Sequence, residues 1–156
     1  MKKIVLLVSF VLAVMLAACS TAVVTTAAPV VVATTAPAGP VALTVTGKVA
    51  EVENFTMADL KAMNVITATV THPKNGDISV TGVLLKDVLA KAQPAADATK
   101  ITFVGSDGYT IDLDLAPVLA CANCMIGFAD DGSLTTAMPT FPGNAWAKLL
   151  VSIEIK

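Results

Sequence analysis

The most constraining feature of this chain is a turn, Pro73-Lys74-Asn75-Gly76-Asp77, set between two β-branched alternating runs. Val65 to Thr71 alternates apolar and hydroxyl side chains, and Ile78 to Thr81 returns in the same pattern. Asn-Gly reaches positive φ at low cost, so the segment predicts a β-hairpin. Similar short units follow. Leu43 to Gly47 alternates, with Val49 and Val52 as a possible extension, and Lys100–Val104 and Tyr109–Leu113 flank the turn Gly105-Ser106-Asp107-Gly108. Cys121 to Phe128 reads as extended before the turn Asp130-Asp131-Gly132, and Trp146 to Ile155 reads as a final strand with Val151, Ile153 and Ile155 on one face.

Helical signals are few and short. Thr56-Met-Ala-Asp59 resembles a capping box opening a helix through Leu60 and Met63. Leu85, Val88, Leu89 and Ala92 share one helical face, and Pro94 stops that helix. Leu115 to Ala120 is a short helix with Pro117 in its first turn. The expected class is α+β, with a mixed, mainly antiparallel sheet and few short helices.

Residues 1–40 have a different character. Met1-Lys2-Lys3 is a basic start, Ile4 to Ala18 is apolar and uncharged, and Leu16-Ala17-Ala18-Cys19 resembles a bacterial lipobox. The apolar run is short for a membrane span, which needs about 20 residues. It fits a signal peptide over residues 1–18, with lipid expected on Cys19. Residues 19–40 hold Ser, Thr, Ala, Val, Pro and Gly with prolines at 29, 37 and 40, and predict a semi-extended stalk carrying a domain at 41–156. The expected location is the cell envelope, on the extracytoplasmic side of a bacterial membrane.

The formal net charge of −2 becomes more acidic once Lys2 and Lys3 leave with the leader, and the chain contains no arginine. Nucleic-acid binding is therefore excluded, because phosphate neutralisation leans on Arg and Lys clusters. The expected partners are the membrane, through the lipid, and a small molecule or envelope protein.

With Cys19 lipidated, Cys121-Ala-Asn-Cys124 is the one cysteine pair. In an oxidising compartment it is read as a structural disulfide, against a redox dithiol or a metal site. A disulfide there requires a turn, since positions 121 and 124 of a regular strand face opposite sides. Met57, Met63, Met125 and Met138 read as core, and Asp112 and Asp114 as a solvated strand face.

A V-x-G strand, "FTMADLKAM", a hairpin, "GVLLKDVLAKA", "ITFVGSDGYTIDLDL" and "PGNAWAKLLVSIEI" follow one another over residues 43–156. In this order they resemble the oxidoreductase molybdopterin-binding domain family. The resemblance implies the sulfite-oxidase-like fold, a molybdopterin cofactor and oxidoreductase chemistry. It also implies a large buried ring with a polar tip at Tyr109. Enzymes of that family ligate molybdenum through a cysteine after the strand that is Val65–Thr71 here, where this chain has Thr71-His72-Pro73. They hold the pterin phosphate with basic residues, usually including arginine. The resemblance thus implies a ligand cleft around His72, Asp107 and Tyr109, no catalytic or metal-ligating residue, and a ligand- or partner-binding role. An active molybdopterin-dependent or dithiol oxidoreductase is the alternative.

Overall fold

The computed structural model describes residues 39–156, all within one compact unit beginning at Thr35. The leader, Cys19 and most of the stalk lie outside the described residues. None of the described helices is long and apolar enough to cross a membrane.

The strands are β1 (Val41–Gly47), β2 (Glu53–Thr56), β3 (Val65–His72), β4 (Gly76–Leu84), β5 (Lys100–Gly105), β6 (Thr110–Asp114), β7 (Met125–Phe128), β8 (Leu134–Ala137) and β9 (Leu150–Ile155). Helices α1 (Met57–Ala62), α2 (Leu85–Ala92) and α3 (Leu115–Ala120) are short, as is a 3₁₀ turn at Gly143–Ala145. Two sheets form where the sequence suggested one. The first has the order β2-β1-β9-β5-β6, the second β3-β4-β7-β8. Only β1–β9 is parallel; the other pairs are antiparallel.

The main core lies between the first sheet, the helices and the root of the second sheet. Leu43, Val45, Phe103 and Ile153 are fully buried there, with Leu85, Val88, Leu89 and Ala92 of α2 and Val83 and Ile126 of the second sheet. A smaller cluster of Val70, Met125 and Ala137 sits on the other face of the second sheet. Met125 and Met138 are buried, and Met57 and Met63 pack against the main core.

Several boundaries differ from the sequence reading. β1 stops at Gly47, whose φ of +93° turns the chain, so Val49 makes only an isolated bridge to Pro94 and Val52 stays exposed. Gly82, Val83 and Leu84 extend β4 instead of leading the helix. Residues 121–124 form a turn, and only Met125–Phe128 is strand. The last strand begins at Leu150, not Trp146. Leu149 takes φ 52° and the register with β5 shifts between Val104 and Gly105, which leaves Val151 exposed instead of aligned with Ile153 and Ile155. β2 and β8, four residues each, carry too little alternation to be read.

The capping box at α1 is present. Thr56 accepts from the Asp59 N–H at 3.1 Å, and Asp59 accepts from the Thr56 N–H at 2.8 Å. Hydrogen bonds from the Thr56 side chain and backbone hold the Asp59 carboxyl below its ordinary value. Asp97 is lowered by its hydrogen bond and charge pairing with Lys48, and Asp112 by the Thr102 hydroxyl and then the Lys156 charge. A carboxyl depressed on folding stabilises the protein above its unfolded pKa, and that contribution is lost as pH falls through the folded pKa. The melting temperature should therefore stay level down to about pH 5 and fall progressively below about pH 4. These carboxylates are exposed, so each effect is small. Calorimetric scans at stepped pH check this, and Asp59→Asn should flatten the acid limb.

Candidate functional site

His72 ends β3, paired across the hairpin with Gly76, which takes the positive φ of 71° that the turn needs. The turn folds back so that His72 Nδ1 accepts from the N–H groups of Lys74 at 3.0 Å and Asn75 at 3.2 Å. These bonds fix the ring and leave Nε2 as its second polar atom. The ring meets Trp146 edge-on, with centroids 4.6 Å apart and planes at 62°.

Trp146 is held from behind by Thr136, a residue the sequence did not single out. The Thr136 hydroxyl donates to the Ala145 carbonyl at 2.7 Å and accepts from the Ala147 N–H at 2.7 Å. The Thr136 N–H donates to the Ala147 carbonyl at 2.9 Å. Three bonds from one buried threonine thus fix the peptides on both sides of Trp146. The indole packs against both hydrophobic clusters, and its Nε1–H is buried without a hydrogen-bond partner among the described residues. A buried donor left unpaired costs about 1–3 kcal/mol.

Beneath the two rings lies a cavity of about 210 Å³, lined by His72, Asn75, Ile78, Val80, Thr135, Thr136, Ala137, Trp146, Ala147 and Lys148. Its walls are mostly apolar, and Lys148 is the one cation among them. Lys148 forms no ion pair among the described residues. A second hollow, about 190 Å³, lies between the start of β1, the Gly132-Ser133 turn and Leu149–Val151, and no charged side chain lines it.

Asp107 and Tyr109 line neither of these hollows. Asp107 caps the β5–β6 turn by accepting from the Tyr109 N–H at 3.0 Å. Tyr109 is 38% exposed, not buried as the resemblance implied, and its hydroxyl donates to the Asn144 carbonyl at 2.5 Å. The 143–148 segment therefore has His72 against it at Trp146 and Tyr109 at Asn144. Tyr109 braces the segment and Asp107 holds the turn that carries Tyr109; of the three expected cleft residues only His72 lines the cavity. Asp112 and Asp114 face solvent, bonded to Thr102 and Lys100 respectively. No cluster of three or more His, Cys, Asp or Glu side chains suited to a metal occurs among the described residues.

Cys121 and Cys124 form a disulfide with Cα atoms 5.5 Å apart. They follow the C-terminal end of α3, where the helix dipole disfavours a thiolate, and both are buried. The arrangement suits a structural clip better than a redox dithiol. Replacing both by serine should lower stability by about 2 kcal/mol, the loop-closure value for so short a loop. Denaturant titration, with dithiothreitol-treated wild type as comparison, checks this.

The donor set does not fit a molybdenum–pterin group. Both cysteines of the described residues are spent in the disulfide, and His72 Nδ1 is occupied by two amides. A single lysine stands where a phosphate clamp needs several donors, and the chain has no arginine.

No curated protein sequence matches the chain. Among solved structures, the sulfane dehydrogenase SoxCD from Paracoccus pantotrophus is similar, with a TM-score of 0.61 and 18% identity. The likeness covers 72% of this chain but only 37% of the SoxCD chain, so it speaks to the fold alone. Residues 31–156 match the family described as the oxidoreductase molybdopterin binding domain. Two sheets with short helices in the sulfite-oxidase-like arrangement and a match over most of the sequence agree: the chain belongs to the oxidoreductase molybdopterin binding domain family.

Proposed function

We propose that this chain is a membrane-tethered member of its family that binds a small ligand in the cavity beneath His72 and Trp146, in place of a molybdenum cofactor. The observation that carries the reading is the polar equipment of that cavity. It offers an unpaired lysine and a histidine fixed by two amides, beside the apolar walls of Ile78, Val80 and the Trp146 indole. Such a site suits a ligand with an apolar body and an anionic or acceptor end, the body against the apolar walls and the end paired with Lys148. It lacks the thiolate that a molybdenum centre would require. The lipobox-like Leu16–Cys19 supports a tether, and the prolines at 29, 37 and 40 support an extended stalk between lipid and domain.

Metal and pterin analysis of the protein purified from its native membrane tests the reading. The expected result is substoichiometric molybdenum and no pterin. Stoichiometric molybdenum would overturn it in favour of an oxidoreductase with an unusual ligand set.

A further inference from the structure

Both sheets end in outer strands, and three of these four edges carry devices that keep other strands away. β2 is four residues long and begins with Glu53. β6 carries Asp112 and Asp114, paired with Lys156 and Lys100. The outer side of β8 is covered by the Ala145–Ala147 segment through the bonds to Thr136. Shortness, charge and covering segments are the usual protections of a sheet edge.

β3 has none of them. Its eight residues contain no charged residue, proline or glycine. Its register with β4 runs unbroken from Val65↔Val83 to His72↔Gly76, without a bulge. Among the described residues, no backbone group of β3 bonds outside its own ladder with β4. Val65, Thr67, Thr69 and Thr71 are exposed. A long, uncharged, regular edge is a template for another strand.

We infer that this edge pairs with the same strand of a second copy, antiparallel about a two-fold axis, joining the two four-stranded sheets into one. The choice of occupant follows from the centre of the strand, Thr67 to Thr71, whose pattern is its own complement, with Ile66 meeting His72 at either end. Reversed about Thr69, it sets Thr67 against Thr71 and Ala68 against Val70. Hydroxyls meet hydroxyls and alkyl groups meet alkyl groups, with no charge opposite a charge. Reversal about Ala68 sets Thr67 against Thr69 and Ile66 against Val70, with Val65 meeting Thr71 at either end. The apolar side of the strand, with Ile66 and Ala68 half-buried, would continue into the corresponding side of its copy. A two-fold contact of this kind closes on itself and stops at the dimer. The inference stands apart from what the cavity binds.

The test is sedimentation of the full-length protein in detergent, as wild type, Thr69→Lys, Thr69→Glu and an equimolar mixture of the two variants. Position 69 lies opposite or diagonal to its own copy in either register. Wild type should be a dimer, and each variant alone should dissociate with a Kd at least about tenfold higher, from like charges across the new ladder. The mixture should recover the dimer as a Lys–Glu pair, a recovery that unfolded variants would not give. A wild type that stays monomeric at its highest soluble concentration would overturn the inference and leave the edge to a foreign strand. Variants that dimerise like wild type, or a mixture that stays monomeric, would overturn it equally.

Discussion

Trp146→Ala is expected to lower stability by about 3 kcal/mol and to abolish ligand binding in the cavity. The energetic part follows from where the indole sits. Among the described residues it is the one side chain packed against both hydrophobic clusters, so truncation opens a void where the two clusters meet. Trp→Ala in a packed core costs about 3–5 kcal/mol, and partial exposure places this position at the lower end. For a domain of this size that corresponds to a fall in melting temperature of roughly 10 °C. The functional part follows from the ring being a cavity wall and the edge-on neighbour of His72. Trp146→Phe separates the two. It keeps most of the packing and removes a buried N–H that has no partner, so it should cost far less stability while still altering the wall that a ligand would contact. Thermal unfolding of the three proteins, with native mass spectrometry of what each retains, reads both effects. A Trp146→Ala loss below about 1 kcal/mol would show that the indole adds little packing to either cluster.

Cys19→Ser should move the protein almost entirely from the membrane pellet to the soluble fraction. Each buried methylene of an acyl chain contributes about 0.8 kcal/mol, so removing several chains changes partitioning by many orders of magnitude. The stalk is uncharged and interrupted by prolines, and no described helix spans a membrane. Fractionation followed by an alkaline wash reads the outcome. Retention of the serine variant in the washed pellet would mean that Ile4–Ala18 stays in place as the anchor.

The sequence revealed what local chemistry determines. Asn75-Gly76 marked its hairpin because few dipeptides accept the backbone that the turn needs, and Thr56 with Asp59 marked a helix start because the capping box is a local exchange of hydrogen bonds. The face of Leu85, Val88, Leu89 and Ala92 was visible because helical periodicity records burial directly. What stayed hidden depends on residues far apart in sequence. Nothing in "AWAK" announces that Trp146 meets His72, or that Thr136 pins the peptides around it. Leu149 at positive φ is equally unreadable, because leucine rarely adopts that backbone and here tertiary packing imposes it. His72 was found through the family's motif order, which also drew in Asp107 and Tyr109. Tyr109 proves to be a support for the 143–148 segment through its bond to Asn144, and Asp107 a cap of the β5–β6 turn that carries Tyr109.

The parallel pairing of β1 with β9 sets a schedule for folding. Thr44 lies beside Ser152 and Gly47 beside Ile155, so nearly the whole domain separates the two partners in sequence. β9 also supplies the only link from β1 to β5, so the first sheet cannot close until the last strand has emerged. Contacts of such sequence separation form late and slowly. A chain emerging from its amino end would form the hairpins β1–β2, β3–β4 and β5–β6 first, and would join β1–β2 to β5–β6 in its first sheet only when β9 arrived.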